Sequence, residues 1–472
     1  MQDSITTLNH SLRQALAAIN AEPAGIAFVN DENGKLCGVL TDGDVRRQLL
    51  DGGSLDDMLR DMPRGDYVYG KVGEDLNDLM AKTNRKIRII PLVNDEGVVV
   101  DYFRYDHRVH IPVAMPDLGG NELRYVTDAV LSTWISSSGK YLTQFEEDFA
   151  AFCECAHGVA VSNGTVALHL ALAALRIGPG DEVIVPDFTF AASVNAVLHA
   201  GATPVIVDVE RESWCIDPEE VRKHIGPRTK AIMPVHIYGQ PANMDAIMAL
   251  AEEHGLYVVE DAAEAHGARY RGKRVGSIGH IGCFSFFGNK VITTGEGGMC
   301  VTNSPELDDR MRMLRDHGMN KQKRYWHDEV GYNYRMTNLQ AAIGCAQLER
   351  IESIIRQRQD IEGAYQRALA NTGLFEFQRG DLEHREKVVW LVSALVTGSD
   401  RADVIERLKN AGIDARPSFY SLSDMPVYKE YSRSAAVSRY ISERGLSLPT
   451  HKDIDLNKIE AVAAALQNER TP

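Results

Sequence analysis

Residues 284–290 read Phe284-Ser285-Phe286-Phe287-Gly288-Asn289-Lys290, and the run Thr293-Thr294-Gly295-Glu296-Gly297-Gly298 follows close behind. The first run has the aromatic residues of a strand, and the second has the glycines of a turn. A lysine between a strand and a turn is fixed and partly desolvated, as an amine must be to act as a nucleophile. The pattern predicts that Lys290 holds an aldehyde cofactor as a Schiff base.

Asp261 and Glu264 are the acidic residues that such a cofactor would need. Asp261 follows the apolar strand 257–260, and ligands of open α/β sheets gather at the carboxyl ends of strands. A carboxylate there could pair with a protonated pyridine nitrogen, although an aspartate in this place also commonly caps the next helix. Glu264 follows closely enough to reach the ring oxygen of the same cofactor.

A phosphate site is predicted where the short strand ending at Asn163 runs into Gly164, Thr165 and an Ala/Leu-rich helix. The start of a helix offers free N–H groups and the positive end of a dipole. Gly164 permits close approach, Thr165 adds a hydroxyl, and Ser285 is a second candidate ligand. The alternative is a helix cap without a ligand.

Two more residues complete the predicted cofactor site. Phe190 follows a strand, where its ring could stack on a pyridine face or pack in the core. Asn333 lies between aromatic residues and either forms a turn or closes the phosphate site. In chain order, a phosphate turn, a stacking ring, an acid, a hydroxyl and a lysine match the needs of pyridoxal 5'-phosphate (PLP).

Composition narrows the class of protein. The chain has 472 residues, 44% hydrophobic and 25% charged, which indicates a globular protein of two or three domains. A net charge of -15 argues against a general attraction to nucleic acid or to an anionic membrane surface. No apolar stretch is long enough to span a membrane, and the N-terminus has no secretory signal.

The seven cysteines are scattered, and Cys153-Glu154-Cys155 lacks the spacing of zinc or redox pairs. We therefore expect reduced thiols, no metal site and a cytoplasmic location.

Residues 1–109 are predicted to be a separate module with an internal repeat. Phe28-Val29-Asn30-Asp31-Glu32 recurs as Leu92-Val93-Asn94-Asp95-Glu96, an offset of 64 residues (93 − 29). In each copy a helix precedes a strand, a turn and a second strand.

This module resembles a tandem CBS pair, a module that commonly binds adenosyl nucleotides. The resemblance implies that Thr41 and Asp44 face the phosphate and ribose of an adenine nucleotide. The second copy keeps an acid at Asp106 but has Phe103 where the threonine would fall, so one site at most is intact. The alternative is a pair used only for assembly.

From residue 110 to residue 350, helices alternate with short apolar strands such as 182–185, 204–207 and 257–260. Such alternation is typical of a mainly parallel sheet covered by helices on both faces. A long charged helix over 350–370, an apolar strand region over 388–396 and another helix over 402–411 then predict a smaller α+β domain over residues 351–472.

Residues 112 to 470 resemble the DegT-type sugar aminotransferases. The motifs that carry the resemblance are Thr133-Trp134-Ile135-Ser136-Ser137-Ser138-Gly139, Met233-Pro234-Val235-His236-Ile237-Tyr238-Gly239-Gln240, Glu260-Asp261-Ala262-Ala263-Glu264-Ala265, 284–290, and Tyr325-Trp326-His327 leading into 332–338. The resemblance implies a fold-type-I α/β aminotransferase, with a mainly parallel seven-stranded sheet flanked by helices. It also implies that Lys290 is the Schiff-base lysine and catalytic base, and that Asn333 arrives from the neighbouring subunit of a homodimer.

Within this group the likeness is greatest to members that aminate C4 of GDP-4-keto-6-deoxy-mannose with L-glutamate, a step of O-antigen or other polysaccharide biosynthesis. The residues predicted to contact the nucleotide sugar are Trp134, Ser137, Lys323, Arg324, Tyr325, Arg416 and Ser423. Lys323 and Arg324, together with Lys321, are candidates for cradling the diphosphate, with Arg416 a second candidate, and a solvated basic turn is the alternative. Ser423 stands where the family usually has histidine, so the hexose and the nucleotide remain open.

Three other functions remain in view. A UDP- or dTDP-linked keto sugar could be the acceptor instead. A PLP-dependent sugar dehydratase is disfavoured, because relatives of that kind replace the lysine with histidine. A non-catalytic nucleotide-sensing scaffold is disfavoured by the presence of both Asp261 and Lys290.

Overall fold

The computed structural model describes residues 4–21, 25–62, 67–83, 87–104, 111–320 and 322–467. By its internal contacts the chain divides into two units, Met1–His110 and Ile111–Pro472. The further division predicted near residue 350 would fall between two helices of the second unit, and it stays a prediction.

The N-terminal unit contains two small three-stranded sheets, ordered β1-β2-β3 and β4-β5-β6. Its elements are β1 Ile5–Thr7, α1 Leu12–Ala21, β2 Ile26–Asn30, β3 Leu36–Thr41, α2 Asp42–Leu50, β4 Gly70–Lys71, α3 Leu76–Lys82, β5 Ile89–Val93 and β6 Val99–Arg104. In each sheet a parallel pair is followed by an antiparallel hairpin. Apolar residues of the two hairpins, including Phe28 and Val99, pack into one cluster.

The hairpin turns establish the register of the internal repeat. Asp31 Oδ1 accepts hydrogen bonds from the N–H groups two and four residues later, at 2.8 and 2.9 Å. Asn94 Oδ1 does the same at 3.1 and 3.0 Å. Equivalent turn residues are therefore 63 apart (94 − 31), and the predicted offset of 64 is wrong by one residue. The sequence comparison aligned Asn94 with the identical residue Asn30, whereas the turn hydrogen bonds show that Asn94 corresponds to Asp31.

The corrected register changes which residue corresponds to Thr41. Thr41 pairs with the first residue of β2, and Arg104 pairs with the first residue of β5. Arg104, and not Phe103, therefore takes the place of Thr41 in the second copy. Asp106 lies outside the described residues.

The second unit continues the alternation that the sequence predicts. Its helices are α4 Glu122–Leu131, α5 Lys140–Phe152, α6 Gly164–Ala174, α7 Ala192–His199, α8 Pro218–His224, α9 Met244–His254, α10 Pro305–Arg315, α11 Asn338–Leu348, α12 Ile351–Leu369, α13 Arg401–Asn410, α14 Ala436–Arg444 and α15 Leu456–Gln467. Its strands are β7 His157–Val161, β8 Glu182–Pro186, β9 Thr203–Val207, β10 Thr229–Ile232, β11 Tyr257–Asp261, β12 Arg269–Tyr270, β13 Lys273–Arg274, β14 Ile281–Ser285, β15 Gly298–Thr302, β16 Phe375–Phe377, β17 Arg385–Glu386, β18 Val392–Val396, β19 Arg416–Pro417 and β20 Gly445–Leu448.

Seven strands form the main sheet in the order β7-β15-β14-β11-β10-β8-β9. Six of these strands run in one direction, and β15 runs in the opposite direction between β7 and β14. The predicted mainly parallel seven-stranded sheet is therefore confirmed. The strands are almost wholly buried, since separate apolar clusters cover the two faces of the sheet.

A four-stranded antiparallel sheet, ordered β16-β18-β20-β19, follows in the C-terminal part of the chain. It packs with α12, α13 and α15 around a third core. Among the helices of the described segments, none combines the length and apolar character that crossing a bilayer requires.

Candidate active site

Lys290 lies in the loop between β14 and β15. Its Nζ is 3.5 Å from Oε1 of Glu264 and 4.0 Å from the ring centroid of Trp390. Only 11% of the lysine side chain is exposed. The amine is thus held between a carboxylate and an aromatic face, in the partly desolvated setting that a nucleophilic lysine needs.

The backbone around Lys290 is tied to the C-terminal part of the chain. Trp390 Nε1 donates to the carbonyl of Asn289 at 2.8 Å. Arg358, from α12, donates to the carbonyls of Trp390 at 2.5 Å and Lys290 at 3.5 Å. Burial lowers the pKa of Arg358 to about 10. Neither Trp390 nor Arg358 is predicted from the sequence, because neither follows a strand or belongs to a glycine-rich turn.

Asp261 is the last residue of β11, at the carboxyl edge of the sheet. Its carboxylate accepts hydrogen bonds from Ser193 Oγ at 2.7 Å and from the N–H of Ala263 at 3.2 Å. Burial raises its pKa, and no basic side chain of the described residues forms an ion pair with it. A buried carboxylate of this kind gains most from a bound cationic N–H, such as a pyridinium nitrogen.

Glu264 lies next to the amine of Lys290. Its Oε2 accepts the N–H of Tyr238 at 2.8 Å, while Oε1 faces Lys290. Burial raises the pKa of Glu264 to about 6, and the nearby lysine opposes this rise. A carboxyl group that titrates near neutral pH is suited to sharing a proton with a catalytic amine or a ring oxygen.

The start of α6 meets the end of β14. Asn163 caps the helix by accepting the N–H of Val166 at 3.0 Å. A Cβ on Gly164 would lie 2.7 Å from Cβ of Ser285, so only glycine lets the helix start approach that serine. Gly164, Ser285 and the half-buried Thr165 are therefore brought together, and this helix start fits a phosphate group.

An aromatic group links Phe190 to the lysine. Tyr238 stacks on Trp390 and on Phe419, with ring centroids 5.5 and 5.4 Å apart. Phe190 lies at the free end of this group, 5.7 Å from Phe419 and 59% exposed. Its exposed face leaves room for stacking on a planar ring.

The backbone beneath this group is strained. Tyr238 has a φ of 52°, and the next residue, Gly239, has a φ of 92° with no room for a Cβ, which would lie 2.2 Å from the carbonyl of Val388. Such strain concentrates at functional sites.

Most of the predicted sugar-contacting residues are exposed. Trp134, Lys323, Arg324, Tyr325 and Arg416 are exposed, Ser137 is half-buried, and Lys321 lies outside the described residues. Lys323 and Arg324 each lie over a neighbouring aromatic ring, at 3.7 and 4.9 Å from its centroid. Among the described residues, no hydrogen bond or ion pair joins the first six to Asp261, Glu264 or Lys290.

Asn333 is also exposed. Its side-chain oxygen accepts a hydrogen bond from Arg335 Nε at 3.0 Å, which leaves the amide NH₂ directed elsewhere. Its predicted role at the cofactor stays a prediction.

Ser423 is placed differently from the other predicted sugar contacts. It is 1% exposed, and its hydroxyl donates to Asp187 and lies 2.6 Å from Oγ of Ser432. The serine thus faces the interior, and any effect it has on the sugar would be exerted through the segment that it fixes.

In the N-terminal unit, Thr41 and Asp44 bond to each other. Asp44 Oδ2 accepts both the N–H and the hydroxyl of Thr41, at 2.8 and 2.7 Å, and Oδ1 pairs with Arg47 at 2.5 Å. This arrangement caps α2. Nucleotide binding here would require part of this cap to open.

Comparison with known proteins agrees with this geometry. Residues 116–467 match the DegT/DnrJ/EryC1/StrS aminotransferase family, and residues 1–51 match the CBS domain. A GDP-perosamine synthase of Caulobacter vibrioides is 47% identical over 360 residues, covering 75% of this chain and 97% of that protein. A GDP-perosamine synthase of Vibrio cholerae is 44% identical over 363 residues, covering 76% and 98%.

Among solved structures, the chain is similar to the PLP-form of Spr1654 from Streptococcus pneumoniae, which is described as a sugar aminotransferase. The TM-score is 0.72 and the identity 27%, and the match covers 75% of the present chain and 97% of the Spr1654 chain. The site residues of the present chain fit the same group, with the buried carboxylate of Asp261 for the ring nitrogen and a helix start with a closely approached Gly164 for the phosphate.

Proposed function

Because the chain belongs to the DegT/DnrJ/EryC1/StrS aminotransferase family, we propose that it transfers the amino group of L-glutamate to C4 of GDP-4-keto-6-deoxy-mannose, giving GDP-perosamine and 2-oxoglutarate. The chain is a PLP-dependent aminotransferase. The observation that carries the choice of acceptor is the 47% identity to a GDP-perosamine synthase across 97% of that protein's length.

The residues of the pocket divide the binding work. When bound, PLP supplies an electron sink that stabilises negative charge at the carbon being deprotonated. Asp261 would hold the ring nitrogen in its charged form, Phe190 would cover one face of the ring, and the start of α6 with Ser285 would hold the phosphate. These contacts orient the cofactor toward Lys290.

Lys290 is the group that moves protons. In the first half-reaction its Nζ would take the proton from the α-carbon of glutamate and pass it to carbon C4′ of the cofactor, and in the second it would take a proton from that carbon and deliver it to C4 of the sugar. Glu264, 3.5 Å away, would stabilise the amine while it is protonated within each half-reaction. The stack of Tyr238 and Trp390 keeps water from this side of the amine.

The test is a turnover assay with glutamate against a panel of GDP-, UDP- and dTDP-linked 4-keto and 3-keto sugars. We expect the highest kcat/KM with GDP-4-keto-6-deoxy-mannose, and a 4-amino product identified by NMR. Preference for a UDP- or dTDP-linked sugar would reject this acceptor while leaving the transaminase intact. A dehydrated product would replace the proposed reaction altogether.

We further propose that the enzyme works as a homodimer. Support comes from an apolar patch on α4 and the following turn, where Leu123 is 80%, Leu131 79% and Trp134 59% exposed. Patches of this kind on an isolated chain are typical of interfaces. In the dimer, Asn333 would reach the phosphate site of the neighbouring subunit.

Mixed dimers test the role of Asn333. Co-expressed Lys290→Ala and Asn333→Ala chains, purified through two different tags, would contain one intact site and one doubly altered site. We expect roughly half the wild-type activity per mixed dimer. A mixed dimer as inactive as either parent would mean that Asn333 acts within its own subunit.

For the N-terminal unit we propose binding of an adenine nucleotide at Thr41 and Asp44. The CBS match over residues 1–51 supports this, and the internal cap predicts weak affinity, since binding must displace the bonds of Asp44. Calorimetry with AMP, ADP, ATP and S-adenosylmethionine should detect heat with at least one of them. Absence of heat with all four would indicate that the unit serves assembly.

A further inference from the structure

One segment of the C-terminal part of the chain lies on the carboxyl edge of the main sheet. This crossing segment, residues 418–438, leaves the small sheet after β19 and returns to it through α14 and β20. On the way, the N–H of Arg433 donates to the carbonyl of Ile206 in β9 at 2.8 Å. The N–H of Leu422 donates to the carbonyl of Asp187, directly after β8, at 3.2 Å.

Asp187 is the main anchor of this segment. Its carboxylate accepts the hydroxyl of Ser421 at 2.5 Å, the N–H of Ser423 at 2.7 Å and the hydroxyl of Ser423. The residue is fully buried, and no basic side chain of the described residues forms an ion pair with it. A buried carboxylate without a cation depends on every donor it has, so the two serines and Asp187 hold each other in one arrangement.

Asp208, directly after β9, anchors the far end of the segment in the same way. Its carboxylate accepts the N–H groups of Val437 and Ser438, both at 2.8 Å, and the hydroxyl of Ser438 at 2.7 Å. The crossing segment is therefore fixed at two points on the edge where the cofactor residues lie.

The near end of the segment reaches the reacting amine through aromatic contacts. The N–H of Phe419 donates to the hydroxyl of Tyr238 at 3.3 Å, and the two rings stack. Tyr238 in turn donates its N–H to Glu264, the partner of Lys290. A shift of the segment would therefore move Phe419 relative to the amine.

The exposed side of this contact is aromatic. Phe190 is 59% exposed and lies 5.7 Å from Phe419, and Tyr420, the next residue, is 54% exposed with Arg401 lying 5.6 Å from its ring centroid. Aromatic faces stack on sugar rings and nucleobases, whereas the two carboxylates of glutamate need cationic or N–H donors. The wall formed by Phe419 and Tyr420, next to the Phe190 ring that would cover the cofactor, suits the nucleotide sugar better than the amino donor.

We propose that Asp187, through Ser421 and Ser423, is a positioning residue for the amino acceptor: it fixes the wall of Phe419 and Tyr420 against which the nucleotide sugar binds. The inference rests on the proposed function. It also gives a physical role to Ser421 and to Ser423, which stands where the family usually has histidine.

The two half-reactions separate this role from a general loss of structure. Stopped-flow spectra of the cofactor would follow the reaction of the holoenzyme with glutamate, and then the reaction of the aminated enzyme with the keto sugar. For Asp187→Asn we expect the first step to stay within about twofold of wild type, and the apparent affinity for the sugar in the second to fall about tenfold or more.

Equilibrium binding gives a readout that does not depend on turnover. Calorimetric titration with GDP-mannose should show the same loss of affinity in Asp187→Asn. Asp424→Asn is the matched control, because Asp424 lies in the same segment and forms an exposed ion pair with Arg439 at 2.8 Å. The control should bind and react like wild type.

The double variant Ser421→Ala/Ser423→Ala removes the hydroxyl donors while keeping the carboxylate, and it carries the test if Asp187→Asn does not fold. Equal losses in both half-reactions, or no loss in a folded variant, would overturn the proposal. Failure of the proposed function would look different: the wild-type enzyme would complete the glutamate step and reject the GDP-linked sugar, and the acceptor found by the panel would then replace it in this test.

Discussion

Two strand-to-helix turns of this chain have similar sequences and different surroundings. At the start of α2, Thr41 and Asp44 bond to each other, and Arg47 pairs with the same carboxylate. At the start of α6, Asn163 makes a similar cap, and the long-range neighbour Ser285 lies against Gly164. The first turn satisfies its own polar groups, whereas the second brings a helix start against the hydroxyl-bearing Ser285 of a distant strand.

A carboxylate of the first turn, Asp44, and a carboxylate of the candidate active site, Asp261, differ in a similar way. Partial burial works against ionisation of Asp44, but the hydrogen bonds from Thr41 and the pairing with Arg47 outweigh it and lower the pKa. Burial raises the pKa of Asp261, where bonds from Ser193 and Ala263 compensate only in part. A charge that is satisfied within its own helix turn needs no ligand, and a buried charge that is not satisfied favours one.

The largest expected effect is on turnover, when Lys290 of the candidate active site is replaced. Lys290→Ala removes the proton-carrying amine, so turnover should fall at least about 10³-fold. Lys290→Arg keeps the positive charge but lacks the nucleophilic amine, and it should be equally inactive. Steady-state assays and the cofactor absorption spectrum, with circular dichroism as the fold control, measure this. Substantial turnover by either variant would refute the assignment.

The carboxylate at the ring nitrogen comes next. Asp261→Asn keeps the volume and removes the charge, so kcat/KM should fall about a hundredfold and PLP affinity should weaken. Ser193→Ala is the matched control, because it removes one hydrogen bond to the same carboxylate and should cost less than about tenfold. Comparable losses in the two variants would mean that the hydrogen bond and not the charge matters.

The buried acid beside the lysine should affect the pH dependence of stability. Between pH 4.5 and about 6, Glu264 ionises in the unfolded chain but stays protonated in the folded one, so stability falls as pH rises through this window. Above it, the loss is on the order of 2 kcal/mol. Glu264→Gln should therefore gain stability relative to the wild type as pH rises.

Urea unfolding of the cofactor-free protein at about pH 4.5 and about pH 7.5 measures this gain. Glu147→Gln, at an exposed position on α5, is the control for the loss of a carboxylate as such. A stability difference for Glu264→Gln that is independent of pH would contradict the raised pKa.

The smallest effect is expected at the start of α2, where Thr41 and Asp44 bond to each other. Asp44→Asn weakens the cap of α2, and amide exchange over residues 42–50 should accelerate by a factor corresponding to about 1 kcal/mol. Asp42→Asn, which breaks only the exposed pair with Arg46, should accelerate it less. Hydrogen exchange read by mass spectrometry distinguishes the two. Equal acceleration would show that the cap contributes nothing beyond a surface ion pair.

Much of the architecture could be predicted from local pattern. The strands 182–185, 204–207 and 257–260 and the helices α12 and α13 lie where alternation and periodicity predict them. Lys290, Glu264 and Gly164 could be predicted as cofactor-site residues, because each belongs to a short motif that can be interpreted from its neighbouring residues.

What could not be predicted depends on distant contacts. Arg358 reaches the carbonyl of Lys290 across 68 residues of sequence, and Asp187 accepts the hydroxyl of Ser423 across 236. No short window contains both partners of either pair. The inward orientation of Ser423 follows from the second of these contacts.

By itself, the sequence of this protein determined the alternation of strands and helices in the second unit and singled out Lys290 as the candidate Schiff-base lysine, because side-chain periodicity and turn chemistry act over a few neighbouring residues. Only the tertiary structure decided which carboxylates are buried with hydrogen-bond donors but with no ion pair among the described residues, as Asp261 and Asp187 are, and which also pair with a basic side chain, as Asp44 does. Desolvation depends on everything packed around a group, and that is settled only when distant parts of the chain meet.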